Sequence, residues 1–472
     1  MSEVVLIHSP VDFYDENRVN ADQTSSPPMG LLYIAAYLEK NGISVRLVDP
    51  QPEKLNLKQI LNEIKKEEPL VVGISSMTPG IRAALILAKE IRKKFGKRPF
   101  IGIGGVHPSV DPTFIKRYPI FDFQIVGEGE IVFTMIVKDI IKGKTPKKKY
   151  FGEIIEDLDS LPFPARHLLK GDYFCPHDAK KLELPEATII ASRGCPFKCI
   201  FCSKPAHRSG YRFRSAKDIV EEMKSIYDDC GGKYNFVDDT MGANLPKAIE
   251  FCNEIISRDL KVKFATSIRA SDVSKKLLEK LAQAGCREIF IGVESGSNRI
   301  RNEIIKKYAP EEKLYEAVRL CRKLGIQSNF YLMLGFPTET KKDIRDTLEI
   351  GVKTKVDLIG IHITQIIPGS PLYDLAIKEG KISEQTVDKY ILGEMGTDFF
   401  KVFPKYIPDG MTLDDLEQAR KIAYRKFFIN PGWIFRRVKS YFRHPDRLVR
   451  DISLIKLGIY VLIHGYTKSA PS

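Results

Sequence analysis

Short apolar runs alternate with helix-period segments along the first 145 residues. Residues 4–8 (VVLIH) are an unbroken apolar run, the pattern of a strand buried on both faces. Residues 29–40 (MGLLYIAAYLEK) repeat at helical spacing and are followed by Asn41-Gly42, a helix stop. The alternation continues with strands at 44–49, 70–75, 100–103 and 123–126 and helices at 57–66 and 81–95. Repeated βα units of this size predict a doubly wound parallel sheet. Ligands of such sheets bind at the carboxyl ends of the strands. Those ends carry Ser75-Ser76-Met77-Thr78, Gly104-Gly105 and Gly127-Glu128. Glycine there lets a flat ligand or a phosphate approach the backbone. A glycine that simply turns the chain is the plainer alternative.

A charged, proline-containing stretch follows, and a second series begins near residue 187. Strands are predicted at 187–191, 234–237, 263–267, 288–294, 328–333 and 358–363, with helices between them at 216–227, 246–257, 274–284, 311–324 and 341–352. Six βα units in succession predict a (β/α)6 partial TIM-type barrel, with its chemistry after the strand ends. The rhythm then breaks: 413–428 is helical, 431–443 mixes aromatics with arginines, and 452–463 is mostly apolar. The expected organisation is α/β: a Rossmann-like domain over 1–145, a linker over 146–185, the barrel over 186–375, and a mostly helical basic region over 376–472.

Bulk composition narrows the class. Of 472 residues, 43% are hydrophobic and 28% charged, the balance of an ordinary globular protein. No run approaches the ~20 apolar residues of a spanning helix, and no signal pattern opens the chain. Eight cysteines are sparse, and five of them (Cys175, Cys230, Cys252, Cys286, Cys321) are scattered. A disulfide framework is disfavoured and a reducing cytoplasm is expected. Twelve basic residues stand against two acidic ones from 420 to 472, so that stretch carries +10 of the formal +14. Three readings fit it: a solvated helical cap, a peripheral contact with anionic lipid, or nucleic acid. Trp433, Phe435, Tyr441 and Phe442, interleaved with Arg436, Arg437, Lys439 and Arg443, suit the lipid surface. Nucleic acid has only the charge in its favour and is disfavoured.

The remaining cysteines carry the chemistry. Cys195, Cys199 and Cys202 form CxxxCxxC after the first barrel strand. A 4Fe–4S cluster normally takes four thiolates, and a closed zinc site also wants four ligands. No fourth cysteine is in register, and His207 lies in a loop-like HRSGYRFR segment. Three ligands leave one iron open, so the loop reads as a reactive centre.

The run Cys195-Pro196-Phe197-Lys198-Cys199-Ile200-Phe201-Cys202, with an aromatic before its last cysteine, resembles the signature of the radical S-adenosylmethionine superfamily. The resemblance implies a 4Fe–4S cluster on the three cysteines, with S-adenosylmethionine chelated to the open iron. It also implies one-electron cleavage of the sulfonium to a 5′-deoxyadenosyl radical that abstracts hydrogen from an unactivated C–H bond. An external donor such as ferredoxin or flavodoxin would supply the electron. Phe201, Asp238, Asp239, Ser267, Arg269 and Glu294 match positions that meet S-adenosylmethionine in that family. The plainer alternatives are a helix-leading turn at Asp238-Asp239 and a structural Arg269–Glu294 ion pair.

The first domain resembles the cobalamin-binding domain that precedes this barrel in one large subfamily. The matching stretches are residues 26–33, 73–78, 104–108 and 126–130. On this resemblance Ser75, Ser76, Met77, Thr78, Gly104, Gly105, Gly127 and Glu128 are the cobalamin-side candidates. The DxHxxG motif that supplies a histidine to cobalt elsewhere is missing: neither His8 nor His107 sits in one.

The resemblance implies methyl transfer to an unactivated carbon of a small molecule or lipid. A non-methylating cyclisation or C–C coupling on a lipid or tetrapyrrole is the second reading. A binding protein that senses cobalamin or redox state is the third. A methylthiotransferase is disfavoured, because that family carries a further cysteine trio in its first domain and the first cysteine here is Cys175. The expected location is cytoplasmic, with or without a membrane contact.

Overall fold

The structure is a computed structural model that describes residues 1–13, 26–171, 173, 186–203, 210–442 and 448. Cys175, His207 and the apolar stretch 452–463 lie outside the described residues. The chain divides into two compact units. One comprises Met1–Phe174, Cys202–Arg212 and Ile367–Pro404; the other comprises Cys175–Phe201, Phe213–Ile366 and Lys405–Ser472. The expected boundary at 375 therefore falls inside a segment, 367–404, that groups with the first unit.

In the first unit β1 (Val4–His8), β2 (Val45–Val48), β3 (Val71–Ser75), β4 (Phe100–Gly104), β5 (Phe123–Val126) and β6 (Lys149–Phe151) form one parallel sheet in the order β2-β1-β3-β4-β5-β6. The order reverses between β1 and β3, the switch point where such sheets open a crevice. Val5, Ile7, Ile74, Ile101 and Ile103 are buried with the helices Leu57–Glu67 and Ile81–Phe95 on one face. Leu6 and Phe133 meet over Gly73 on the other face. Both faces are covered, which is why the strands read as uninterrupted apolar runs. Tyr390, Phe399 and Phe403 bring the 367–404 segment into the same core. Tyr390 donates to the Pro79 carbonyl, and Tyr118 to Asp388, both at 2.7 Å.

Strand β6 lies within the stretch expected to be linker. It is three residues long, pairs with β5 alone among the described residues, and holds Tyr150 edge-on to Phe123. Its neighbouring lysines suit an edge strand, where charge blocks further pairing, and this is what made the segment read as a linker.

In the second unit β7 (Ala187–Ile189) leads into β8 (Ser192–Arg193), and the two-residue β9 (Arg212–Phe213) starts on the last residue of a first-unit segment. β10 (Lys233–Phe236), β11 (Lys263–Arg269), β12 (Cys286–Glu294), β13 (Gln327–Leu334) and β14 (Leu358–Ile363) continue the main sheet. Its order, β14-β13-β12-β11-β10-β7, is parallel and sequential. Helices join successive strands, as expected of a (β/α)6 partial barrel. Ile289, Ile291, Phe330, Leu332, Ile359 and Ile361 pack towards the helices. The alternate residues face the barrel interior.

The C-terminal helices Leu413–Phe428 and Pro431–Tyr441 pack on this unit. Phe427 lies against Gly351, the Trp433 indole donates to the Asp357 carbonyl at 2.7 Å, and Arg437, 4% exposed, donates to Gln327 Oε1 at 3.2 Å. The described part of the basic tail is thus a cap on the barrel, with Trp433 and Arg437 turned inward. Phe435 and Phe442 remain 71% and 87% exposed. Among the described residues no helix is long and apolar enough to cross a membrane.

Candidate active site

Between β7 and the cysteines the chain is held by an acid from the next strand. The Asp238 carboxylate, just past β10, accepts hydrogen bonds from the Ser192 hydroxyl and from the backbone N–H groups of Ala191 and Ser192. Burial pushes its pKa up to about 6, against the pull of those hydrogen bonds. Gly194, at φ +89°, then turns the chain into the loop, a conformation glycine adopts without a Cβ penalty. Cys195, Cys199 and Cys202 are all free thiols; Cys199 is buried and the other two are half-buried. The Phe201 ring lies 6.0 Å from that of Phe336.

Arg269, at the end of β11, reaches back to this loop. Its Nη1 donates to Cys199 Sγ at 3.3 Å, its Nη2 donates to the Lys307 carbonyl at 2.7 Å, and its guanidinium lies 3.5 Å from the centre of the Phe197 ring. The expected alternative of an Arg269–Glu294 ion pair is not what forms. Glu294 pairs with Lys307 Nζ at 2.8 Å, and the same ammonium donates to the Gly292 carbonyl at 2.9 Å. Glu294 sits at φ +66°, where the β12–β13 register shifts. A non-glycine residue held there costs about 1–3 kcal/mol and is characteristic of functional sites. Ser267 is half-buried on the same interior face as Arg269, whereas Asp239 is exposed.

In the first unit the other candidates gather at the carboxyl ends of β3, β4 and β5. Met77 is 52% exposed and Val106 is also open. Gly105 sits at φ +95°, and a Cβ there would come within 2.9 Å of the Ser75 hydroxyl and the Ser76 backbone. Gly104 is half-buried. Gly127, at φ +93°, donates its N–H to the Ser109 hydroxyl. Three candidates are turned inward. The Ser76 hydroxyl donates to the Met77 carbonyl, Thr78 bonds to His107 Nδ1 at 3.1 Å, and Glu128 is clamped by Arg212 at 2.6 and 3.1 Å. His107 is fully buried, edge-on to Phe114, and its Nε2 meets no hydrogen-bond partner among the described residues; burial pushes its pKa down to about 4.

Two family models fall on these two regions. Residues 189–350 match the radical SAM superfamily and residues 19–137 match the B12-binding domain. The chain thus carries a radical S-adenosylmethionine superfamily domain with a B12-binding domain ahead of it. An uncharacterized methyltransferase of Pyrococcus horikoshii is 28% identical over 455 residues, covering 93% of this chain and 95% of the relative. The anaerobic magnesium-protoporphyrin IX monomethyl ester cyclase of Rubrivivax gelatinosus is 26% identical over 430 residues, covering 86% and 75%. Among solved structures, the cobalamin-dependent S-adenosylmethionine radical enzyme OxsB, with aqua-cobalamin and S-adenosylmethionine bound, superposes with a TM-score of 0.68. That alignment covers 98% of this chain and 75% of OxsB at 17% identity, a likeness of fold.

The residues of this radical S-adenosylmethionine enzyme fit its cofactors. A guanidinium donor on a cysteine sulfur is the kind of contact that tunes cluster thiolates. Among the described residues no three His, Cys, Asp or Glu side chains converge as for a single metal ion. A cluster does not require that, because its thiolates ligate separate irons. At the B12-binding end, side-chain-free backbone at Gly104-Gly105 beside exposed Met77 and Val106 suits a broad, largely apolar face. When bound, cluster and S-adenosylmethionine supply a hydrogen-abstracting radical, and cobalamin supplies a methyl carrier.

Two participants escape the sequence. Lys307 joins Arg269 to Glu294 from a turn whose neighbours Lys306 and Tyr308 both have positive φ. No turn residue in that stretch announces it. Ser192 takes up Asp238 from a position that reads only as strand end.

Proposed function

We propose that this enzyme methylates an unactivated carbon of a small-molecule or lipid substrate. The reading rests chiefly on one observation. A three-cysteine loop and a B12-binding domain occur together in a chain that aligns almost end to end with a methyltransferase. On this reading Cys195, Cys199 and Cys202 hold the cluster. Ser267, Asp239 and Glu294 orient S-adenosylmethionine beside Phe201, and Arg269 sets the charge at Cys199. Asp238 holds the loop in place. Met77, Gly104, Gly105 and Gly127 present the cobalamin face, with Ser75, Ser76, Thr78 and Glu128 building the strand ends beneath it. An external one-electron donor, a ferredoxin or flavodoxin, completes the system.

The test is anaerobic turnover of reconstituted, cobalamin-loaded protein with S-adenosylmethionine bearing a trideuterated methyl group. Lipid and pigment extracts of a deletion strain serve as substrate. The expected result is 5′-deoxyadenosine together with a methylated product that carries the three deuterium atoms. The resemblance to the magnesium-protoporphyrin ester cyclase supports a non-methylating cyclase as the second reading. Stoichiometric 5′-deoxyadenosine with an unlabelled ring-closed product would establish it instead. An output unchanged by Cys199→Ala would favour a sensor.

The same reading extends to location. Phe435, Val438 and Phe442 are exposed at i, i+3 and i+7 on and just past the last described helix, beside exposed Lys439. An apolar stripe flanked by cations suits the surface of an anionic membrane. Co-sedimentation with phosphatidylglycerol vesicles, lost in Phe435→Glu, is the expected outcome. Equal sedimentation of both proteins would remove the membrane from the proposal.

A further inference from the structure

The interior wall of the barrel has an unusual composition in its middle layer. Tyr331 on β13 is in register with Gly292 on β12 and with Gly360 on β14. A tyrosine thus has glycine on both neighbouring strands, and its ring lies flat across the sheet. A Cβ at Gly360 would come 3.2 and 3.4 Å from two of its ring carbons. The Phe290 ring stacks on it at 5.6 Å, with only 13° between the planes, and the His362 ring stands 6.5 Å away on β14. Tyr331 is nevertheless 42% exposed, and His362 is open as well. Met333, in register with His362, continues the same face.

An exposed aromatic wall inside a barrel is unlike an exposed residue at the surface. It faces the interior and sets stacked rings beside a few polar groups, Glu294 and Lys307 next to Gly292, the mix of lining found in ligand sites. Its position along the strands is also telling. Glu294 lies two residues beyond Gly292, about 7 Å along the strand, and Glu294 pairs with the Lys307 that also accepts from Arg269. The wall therefore lies one layer below the residues gathered around Cys199. On the reading of the function above, on which this step rests, a substrate must reach that layer.

We propose that Phe290, Tyr331 and His362 form a shelf on which a flat, conjugated ring of the substrate stacks, with Gly360 leaving room for the Tyr331 ring and Gly292 leaving room for the Glu294 and Lys307 head groups beside it. Offset stacking of ring on ring is the geometry aromatic groups prefer, and a saturated polycycle gains less from it. Two sources offer such a ring, a tetrapyrrole or a single aromatic heterocycle, and the experiment separates them.

The test is equilibrium binding to the anaerobically reconstituted holoenzyme. Three probes are used: magnesium protoporphyrin IX monomethyl ester, tryptophan, and the saturated polycycle diploptene. One planar probe is expected to bind more tightly than diploptene. Tyr331→Ala and Gly360→Leu should each weaken that probe about tenfold or more, and Tyr331→Phe should hold it within about threefold. Iron content and melting temperature report whether each variant has folded, and Gly360→Leu and Tyr331→Ala perturb the shelf by opposite means. Tetrapyrrole and heterocycle are distinguished by which planar probe shows the pattern. A bound planar probe whose affinity ignores both Tyr331→Ala and Gly360→Leu, absence of binding by either planar probe, or diploptene binding as tightly as the better of them would overturn the shelf. Wild-type formation of 5′-deoxyadenosine is measured alongside. Its absence would count against the enzymatic reading itself, whereas its presence without stacking would refute the shelf alone.

Discussion

Replacing Arg269 by Gln should drive the midpoint potential of the cluster more negative. The guanidinium donates to Cys199 Sγ at 3.3 Å in a buried setting, so its charge stabilises added electron density on that side of the centre. Two unit charges at that distance interact by about 5 kcal/mol at an effective dielectric of 20, which is a ceiling. A charge-assisted hydrogen bond nets about 1.5–3 kcal/mol. If that stabilisation belongs to the reduced state, its loss corresponds to roughly 60–130 mV for one electron, at 59 mV per factor of ten. Phe197→Leu is the control, because it removes the ring 3.5 Å from the guanidinium and leaves the sulfur contact; its shift should be the smaller of the two. The assay is an anaerobic redox titration followed by electron paramagnetic resonance, on protein whose iron content matches wild type. A positive shift in Arg269→Gln, or none beyond roughly 20 mV, would refute the electrostatic role. Arg269 would then be only a packing residue for the loop.

Other consequences are simpler to state. Asp238→Ala should cost about 1–3 kcal/mol by leaving the backbone N–H groups of Ala191 and Ser192 unmatched, and should lower the iron retained after reconstitution; Asp238→Asn, which keeps an acceptor, should retain more. Arg212→Ala should cost about 3 kcal/mol, since it removes the charged partner of the buried Glu128 carboxylate, which keeps its hydrogen bond from the Ile155 N–H, so a melting curve should move before cobalamin affinity does. Burial pushes the folded His107 pKa down to about 4 from its ordinary 6.5, with Arg117 adding to the shift and Asp111 and Asp388 opposing it. A base with a lowered folded pKa costs nothing above 6.5 and destabilises as pH falls towards 4, here by about 3 kcal/mol. Denaturant midpoints of wild type should therefore fall over that window, and those of His107→Phe should fall less. Asp238 has the opposite sign: its folded pKa, about 6, lies above its ordinary 3.8, so protonation from pH 6 downward favours the folded second unit. Asp238→Asn should remove that gain from the same profile.

Much of the molecule was readable because its signals are local. The apolar runs at 4–8 and 100–103 announce strands buried on both faces, and they form the centre of the first sheet. The three cysteines announce themselves by spacing. What was not readable depends on contacts between distant segments. Arg269 is 70 residues from Cys199, and nothing near either residue shows that guanidinium and sulfur meet. Lys307 stands between two left-handed residues that carry large side chains, so the usual turn composition is absent. In sequence Glu128 looks like a ligand-side acid because it follows Gly127 at a strand end. Its two hydrogen bonds from Arg212 show how a βα loop position can equally anchor the chain. Strand β6 hid behind the lysines that protect its edge.

The basic tail shows why charge alone is a poor guide to function. Its arginines and aromatics look uniform along the sequence, yet the helix sorts them by face. Trp433 and Arg437, four residues apart, fall on one side and enter the barrel wall, where Arg437 meets Gln327 and Trp433 meets the Asp357 carbonyl. Phe435, Val438 and Phe442 fall on the other side and stay exposed. The inward pair costs desolvation that only a fixed partner can offset, so this part of the tail is built as structure. Truncation after residue 430 should then destabilise the barrel even where no lipid is present. If the truncated protein melts like the full chain, the inward pair contributes little and the outward stripe must account for the tail by itself.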